Sequence, residues 1–319
     1  MLSSDFKKYF SKLKRESRVK ECFFANDECT SIIKAHSIQN NRILKVISEE
    51  GHVIQLNASS SDEGFSIESE DVGRKIATVS TNFCGFHDSK LFSPIELKEF
   101  KKGDKEQEFI YAYRAFSREY HAKREIKNVL ENIRKAPGVD RFSVDLSLKG
   151  NQISLEQLER EKTFLNNALI GERFDVIATQ VLELHGEYHI ASSSACVIEY
   201  DLLGNQLNDL SDLKRDLKHL FLIVFPQNGK TFILFSFYKK YKKHFSFIRK
   251  QIMSKSLREQ KTIITNLLIS HVENLVISPK IWSSLLEGDR GVIKNVLKES
   301  VKASKQRLSD VQDINIFIA

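Results

Sequence analysis

The chain has 319 residues, a net charge of +7 and 41% hydrophobic residues, a composition typical of a globular protein with a sizeable core. Only four prolines and thirteen glycines are present, which argues against long disordered segments. No apolar run reaches the ~20 residues of a membrane span, and the N-terminus lacks an apolar signal segment, so we expect a cytoplasmic protein with no membrane partner.

The first third of the chain predicts short elements separated by turns. Apolar residues at three- and four-residue spacing indicate helices, and β-branched runs indicate strands. In chain order these are a helix over 3–20, a strand over 31–38, a short helix over 40–51, a strand over 53–57, an acidic loop over 59–71, a strand over 74–83 and a helix that begins near His87.

The rest of the chain predicts long helices, then strands, then helices again. A helix over 106–135 carries an aromatic stripe and ends at the sequence APGVD, and a second helix covers 154–170. Strands follow over 174–184, 187–201, 219–225 and 230–238, the last two joined by an Asn228-Gly229 hairpin turn. Helices over 246–252, 257–276, 279–288 and 290–307 complete the pattern.

This change of character predicts an α+β protein in two parts. Residues 1–105 would form a metal-binding module with a basic N-terminal helix. Residues 106–319 would form a larger domain of helices and antiparallel strands, which we expect to act as a sensor, a binding domain or a dimerisation domain. A homo-oligomer or a protein partner through 106–319 is therefore expected.

Positive charge is concentrated in two segments. Residues 1–20 carry seven Lys or Arg against two acids, and residues 238–261 carry nine against one. Both suit a polyanion such as nucleic acid, and in the second segment aromatic side chains could stack on bases while lysines neutralise phosphates. The alternative is that the aromatic residues face the core and the lysines face water. The candidate nucleic-acid-binding residues are Lys239, Lys240, Lys242 and Lys243.

Two pairs of soft ligands predict one metal site. Cys22 and Cys29 enclose a turn, and Cys84 and His87 have C-x2-H spacing where a strand meets a helix. Three cysteines and a histidine make a closed structural zinc site, and the helix N-terminus favours the thiolate of Cys84. His36 is a competing ligand, and the spacing does not decide between it and His87.

These motifs resemble the zinc-bearing HNH (ββα-metal) endonucleases over residues 20–100. AHSIQ (35–39) is similar to the family's strand with the catalytic histidine, and FCGFHDSK (83–90) is similar to the opening of its helix. The resemblance implies a treble-clef fold and metal-dependent cleavage of nucleic acid, with DNA favoured over RNA. A nuclease module joined to an unrelated body would suit defence against phage or mobile DNA.

The resemblance also implies residue roles. His36 would be the general base, Asp88 would bind a catalytic Mg²⁺ or Mn²⁺, and Lys90 would contact phosphate. Either Asn57 or Asn82 would correspond to the family's central asparagine. The chain departs from the family where the acidic residue before the catalytic histidine is alanine, where the second zinc cysteine is histidine and where the metal-binding histidine is aspartate.

Two other functions are consistent with the sequence. One is a zinc-stabilised module that binds nucleic acid or protein without catalysis. The other follows from Arg114 and His121, which lie on one face of the long helix and match the Arg-x4–6-His pattern of HEPN ribonucleases.

Overall fold

A computed structural model of the protein describes residues 3–61, 64–300 and 312–318. The helices are α1 (Ser3–Glu16), α2 (Lys45–Ile47), α3 (Gly85–Glu96), α4 (Lys105–Arg134), α5 (Arg141–Ile170), α6 (Leu257–His271), α7 (Pro279–Ser284) and α8 (Glu287–Ser300). The strands are β1 (Ala35–His36), β2 (His52–Ser61), β3 (Gly64–Gly73), β4 (Val79–Ser80), β5 (Ile177–His185), β6 (Ile190–Val197), β7 (His219–Gln227), β8 (Lys230–Tyr238) and β9 (Leu275–Ile277). The expected mixture of helices and antiparallel strands is thus confirmed.

A seven-stranded antiparallel sheet organises the molecule, with the strand order β3-β2-β9-β6-β7-β8-β5. The predicted β7–β8 hairpin is confirmed. Asn228 and Gly229 form its turn with φ values of 52° and 73°, the positive region that a tight hairpin turn requires. Both strands are nearly continuous apolar runs, because helices cover both faces of the sheet.

The two faces of β7 pack against different layers. Phe221, Ile223 and Phe225 point towards α4 and α5, whereas the alternate residues belong to the core formed with α6, α7 and α8. The described C-terminal segment 312–318 adds Phe317 to this second core. The sheet is therefore the middle layer of three.

The helices α4 and α5 form an antiparallel hairpin around a short turn. Asp104 caps α4 by accepting from the Gln107 amide, and Asp140 caps α5 by accepting from the next amides. The start predicted for the second helix, residue 154, was wrong, since the Asp140 cap begins α5 at Arg141. Residues 141–153 are mostly exposed, so no apolar stripe marks this part of the helix in the sequence.

Two other predicted elements are corrected. The acidic segment predicted as a loop over 59–71 instead forms the end of β2 and most of β3, which pairs with β2 along its whole length. Phe65 and Ile67, two residues apart, lie on one side of β3 and pack against the second core. The helix predicted over 257–276 ends at His271, and residues 275–277 form β9 between β2 and β6. That strand is short and fully buried, so its position comes from neighbouring strands that are distant in sequence.

The stretches on either side of residue 105 share one sheet and one core. Ile54 and Gln55 of β2 pair with β9, and Val53 belongs to the same apolar cluster as Phe221. The division into 1–105 and 106–319 stays a prediction, but it does not separate two sheets. None of the helices in the described ranges is both long enough and apolar enough to cross a membrane.

This shared sheet leads to a prediction about fragments. We expect a fragment of residues 106–319 to lose cooperative thermal unfolding, because β9 would lack its partner β2 and an unpaired edge would be exposed. Circular dichroism melting of the fragment, alone and mixed with a 1–105 fragment, measures this. A cooperative transition of the isolated fragment at the Tm of the whole chain would show that the two parts fold independently.

A buried ionic network attaches α5 to the sheet. Glu161 Oε2 accepts from Tyr238 Oη at 3.0 Å and lies 3.1 Å from His219 Nδ1, while Gln157 contacts its other oxygen. Burial acts to lower the pKa of His219, but the carboxylate of Glu161 outweighs it and the pKa is raised. Burial acts to raise the pKa of Glu161, but the charge and hydrogen bond of His219, together with the hydrogen bonds from Gln157 and Tyr238, outweigh it and the pKa is lowered.

These opposite shifts predict a pH window of stabilisation. The contribution of His219 is complete below its ordinary pKa of 6.5 and is lost as the pH rises through the raised value. The contribution of Glu161 is complete above 4.5 and is lost as the pH falls through the lowered value. We expect His219→Gln to reduce the free energy of unfolding most between these two pH values and less at alkaline pH. Urea unfolding at several pH values tests this, with exposed His185→Gln as control, and a pH-independent deficit would contradict it.

Candidate metal centre and the surrounding residues

Four predicted ligands converge at the start of α3. Cys22, Cys29, Cys84 and His87 each offer one donor atom, and these atoms all lie within 4.8 Å of one another. Among the described residues, no second group of three or more His, Cys, Asp or Glu has this arrangement. His36 is not part of the group, so the structure selects His87 between the two candidates that the sequence left open.

The separations within the group suit a tetrahedral metal ion. Cys22 Sγ lies 3.8 Å from Cys84 Sγ, and His87 Nδ1 lies 3.2 to 3.4 Å from all three sulfur atoms. Metal bonds of ~2.3 Å to sulfur and ~2.0 Å to nitrogen at tetrahedral angles place two sulfurs ~3.8 Å apart and a sulfur and a nitrogen ~3.5 Å apart. The residues therefore fit one metal ion with four protein ligands.

The N-terminus of α3 prepares Cys84 as a thiolate ligand. Cys84 is the N-cap residue, and its sulfur accepts from the backbone amide of His87 at 3.5 Å. Burial acts to raise the pKa of the Cys84 thiol, but amide donors from His87 and Thr30 bring it down to about 6. Burial raises the pKa of Cys22 to about 12. Forming the Cys22 thiolate in this buried position therefore costs free energy, which a bound cation would offset.

Aromatic packing attaches this centre to α4. Phe23, next to the first ligand, is buried and contacts the rings of Tyr113, Phe116 and Tyr120 at centroid distances of 5.3 to 5.8 Å. The ring of His87 lies between two further phenylalanine rings, 5.2 Å from each. The ligand loop is consequently anchored in the main apolar core.

His36 lies on a ribbon beside the metal centre. β1 pairs with β4, placing His36 opposite Val79, and the same two segments meet again at the isolated Ile32–Cys84 bridge. His36 Nδ1 lies 3.0 Å from the carbonyl oxygen of Ala77, which can only accept, so Nδ1 carries the proton and Nε2 has the free lone pair. Burial lowers the pKa of His36, favouring this neutral ring.

Asp88 follows the last ligand on the first turn of α3. Its Oδ1 is shielded from solvent and has no hydrogen-bond partner among the described residues. Burial raises the pKa of Asp88 to about 6, with Arg114 opposing the shift. An unpartnered buried carboxylate oxygen is uncommon and calls for an explanation such as a bound ion.

One ion pair acts on both His36 and Asp88. Arg114 Nη2 contacts Glu96 Oε1, and its guanidinium lies 3.9 Å above the ring of Phe92. The charges of Arg114 and Glu96 influence the pKa values of both His36 and Asp88. No local pattern in the sequence marks Glu96, because the contact joins the end of α3 to the first third of α4.

The predicted phosphate-binding lysines lie on the surface. Lys90 is exposed, pairs with Glu28 at 3.4 Å and lies 4.9 Å from the centre of the Phe86 ring. Lys239 pairs with Asp175 at 2.7 Å, and Lys240 lies over Tyr241 at 4.8 Å. The neighbouring lysines, also exposed, are Lys242 and Lys243.

The burial of Arg114 and His121 argues against the HEPN-like alternative. Their residue exposures are 4% and 3%, so they do not form an accessible helix face for a second subunit. Asn82 is also buried and bonds Ser80 and Ser117, while Asn57 pairs with Glu70. Both side chains are therefore engaged in hydrogen bonds within the structure, Asn82 through both of its polar atoms and Asn57 through its amide nitrogen.

Comparison of the chain with protein-family models, with curated proteins and with solved structures gives no match. The functional argument therefore depends on the residues and their geometry.

The four-ligand group predicts that substitution of one of its cysteines removes the metal, whereas substitution of Cys196 does not. We expect Cys29→Ser to lose the bound metal and to lower the Tm, because a closed site with three remaining ligands binds far more weakly. Metal content by inductively coupled plasma mass spectrometry, together with thermal unfolding, measures both. Cys196→Ala is the matched control, since Cys196 is a buried thiol outside the group. Equal metal content in both variants would show that these four residues do not form a metal site.

Proposed function

We propose that the protein is a metal-dependent nuclease built on a zinc-stabilised module similar to the HNH endonucleases. One observation carries the proposal: His36, held in one tautomer, and Asp88, with a buried unpartnered oxygen, both have pKa values influenced by the charges of the same Arg114–Glu96 ion pair. A general base and an oxygen ligand for a divalent cation are the two groups that phosphodiester hydrolysis needs.

Zinc is the ion that we propose for the four-ligand group. Three sulfurs and one imidazole nitrogen are soft donors that select zinc among common cellular metals, and the donor separations suit its tetrahedral geometry. All four positions are filled by the protein, so the ion would be structural. Its role would be to hold the ribbon of β1 and β4 against the start of α3.

The local backbone supports the resemblance to a ββα module. Two antiparallel segments, β1 and β4, are followed directly by α3, and the first turn of α3 carries both a soft ligand and Asp88. Between the two strands, residues 40–75 include the β2–β3 hairpin, which extends the large sheet. In this proposal the hairpin is an insertion that attaches the module to the rest of the protein.

In the proposed reaction, His36 Nε2 takes a proton from the attacking water. The hydrogen bond from Nδ1 to the Ala77 carbonyl orients the ring, and burial keeps it neutral at pH 7. Asp88 would hold Mg²⁺ or Mn²⁺ together with substrate phosphate oxygens and water. When bound, that cation would stabilise negative charge on the scissile phosphate and leaving oxygen. We propose nucleic acid as substrate, with DNA favoured over RNA.

A second candidate function is binding without cleavage. The exposed lysines of residues 239–243, with Lys240 over the Tyr241 ring, offer charge and an aromatic face to a nucleic acid. In that case the metal centre would serve stability alone, and His36 and Asp88 would have no chemical role.

The nuclease proposal predicts a specific loss in His36→Ala. We expect Mg²⁺- or Mn²⁺-dependent cleavage of plasmid DNA, single-stranded DNA or RNA to fall by about 10²–10⁴-fold, the usual contribution of a general base. The zinc content should be unchanged, because His36 lies outside the four-ligand group. Asp88→Asn should also lose cleavage, because a neutral amide binds the cation more weakly.

The matched controls are His185→Ala and Asp145→Asn, two changes of the same kind at exposed positions. Cleavage by zinc-loaded wild type and controls, but not by the two site variants, would support the proposal. Cleavage that persists in His36→Ala would exclude His36 as the base. Binding of nucleic acid without cleavage by the wild type would favour the second function.

A further inference from the structure

A basic cleft of about 400 Å³ lies beside β4, the strand that pairs with the one carrying His36. Four segments meet there: the residues after α1, the approach to β1, the strand β4 and the middle of α4. The titratable side chains that line the cleft are Arg18, Lys34, Arg118, His121 and Glu125. The proposed function assigns no role to it.

Positive charge dominates this cleft. It has three permanent cations, Arg18, Lys34 and Arg118, and none has a carboxylate oxygen within ion-pair distance in the part of the chain that the structure describes. Its one carboxylate, Glu125, is already engaged, since Oε1 accepts from the Val19 amide at 3.2 Å. The cleft therefore has a net positive charge with little internal compensation.

Arg118 differs from the other cations of its helix. Within the described residues, every other Lys or Arg of α4 has an ion-pair partner at 4.0 Å or less. Arg118 Nε, in contrast, is shielded from solvent and has no hydrogen-bond partner there. A buried guanidinium donor without a partner is costly, and a bound acceptor would remove that cost.

His121 supplies a second unpartnered atom in the same cleft. The side chain is almost fully buried, and Nε2 lies 2.9 Å from the Val19 carbonyl oxygen, so Nε2 is the donor. Nδ1 is then an acceptor, and it too is buried without a partner in the described chain. The cleft thus offers cationic donors beside one free acceptor.

We propose that this cleft binds a nucleotide through its phosphate group. Phosphate oxygens would accept from the charged side chains of Arg18, Lys34 and Arg118. The volume exceeds that of a phosphate ion and lies within the range of small-ligand pockets. The nucleotide is either free or one unit of a polynucleotide strand. Binding requires no cleavage, so this inference goes beyond the nuclease proposal and does not depend on it.

The test is equilibrium binding to the full-length, zinc-loaded chain without added Mg²⁺. The two probes are fluorescently labelled adenosine monophosphate and a labelled short oligoadenylate RNA, both measured by fluorescence anisotropy. We expect the double variant Arg18→Gln/Lys34→Gln to weaken binding by at least about tenfold, the usual effect of losing a charge-assisted hydrogen bond. Arg118→Gln should have a similar effect. The matched control is Arg141→Gln/Lys149→Gln, which removes the same charges from exposed positions on α5.

The result identifies the source of the phosphate. Loss of monophosphate binding in the cleft variants supports a free nucleotide, and loss confined to the oligonucleotide supports one unit of a strand. Failure of the wild type to bind either probe would overturn the proposal, as would equal weakening in the control variant. A protein that binds but cuts no nucleic acid would contradict the nuclease proposal alone. Normal cleavage by the cleft variants, together with no binding of either probe by the wild type, would contradict only this inference.

Discussion

The convergence of three thiols and one imidazole at the start of α3 is the constraint on which the rest of the candidate site depends. Cys22 and Cys84 are 62 residues apart, yet their sulfur atoms lie 3.8 Å from each other. Closing so long a loop is entropically costly, and burying three thiols and a histidine is unfavourable without a cation to bind them. A metal ion at this point would fix the ribbon of β1 and β4 relative to α3. His36 and Asp88 lie on the two elements, β1 and α3, that this junction would hold together.

The four-ligand group is continuous with the rest of the molecule. Phe23 inserts among aromatic rings of α4, and α4 in turn packs on the face of the large sheet that bears Phe221. The β2–β3 hairpin, which lies between the two halves of the ligand set in sequence, extends that sheet beyond β9. Strain or movement in the sheet would therefore reach the metal centre through packed contacts, without a flexible linker between them.

Helix α4 connects the two candidate sites. Arg114, Arg118 and His121 are four and three residues apart, which places them on one face of the helix. At one end of this face Arg114 pairs with Glu96 near His36 and Asp88, and at the other end Arg118 and His121 line the basic cleft. β4 contributes to both regions, since it pairs with the strand of His36 and also lines the cleft.

The sequence by itself determined the local features of this protein. The apolar periodicity predicted α4, the Asn-Gly pair predicted the β7–β8 turn, and the C-x2-H spacing identified Cys84 and His87, because each of these signals lies within one short segment. Tertiary structure decided what lies far apart in the chain. The choice of His87 over His36, the Arg114–Glu96 pair, the short β9 and the basic cleft all join residues from distant segments. Spacing in the sequence contains no information on such contacts, since they are set by which faces pack together.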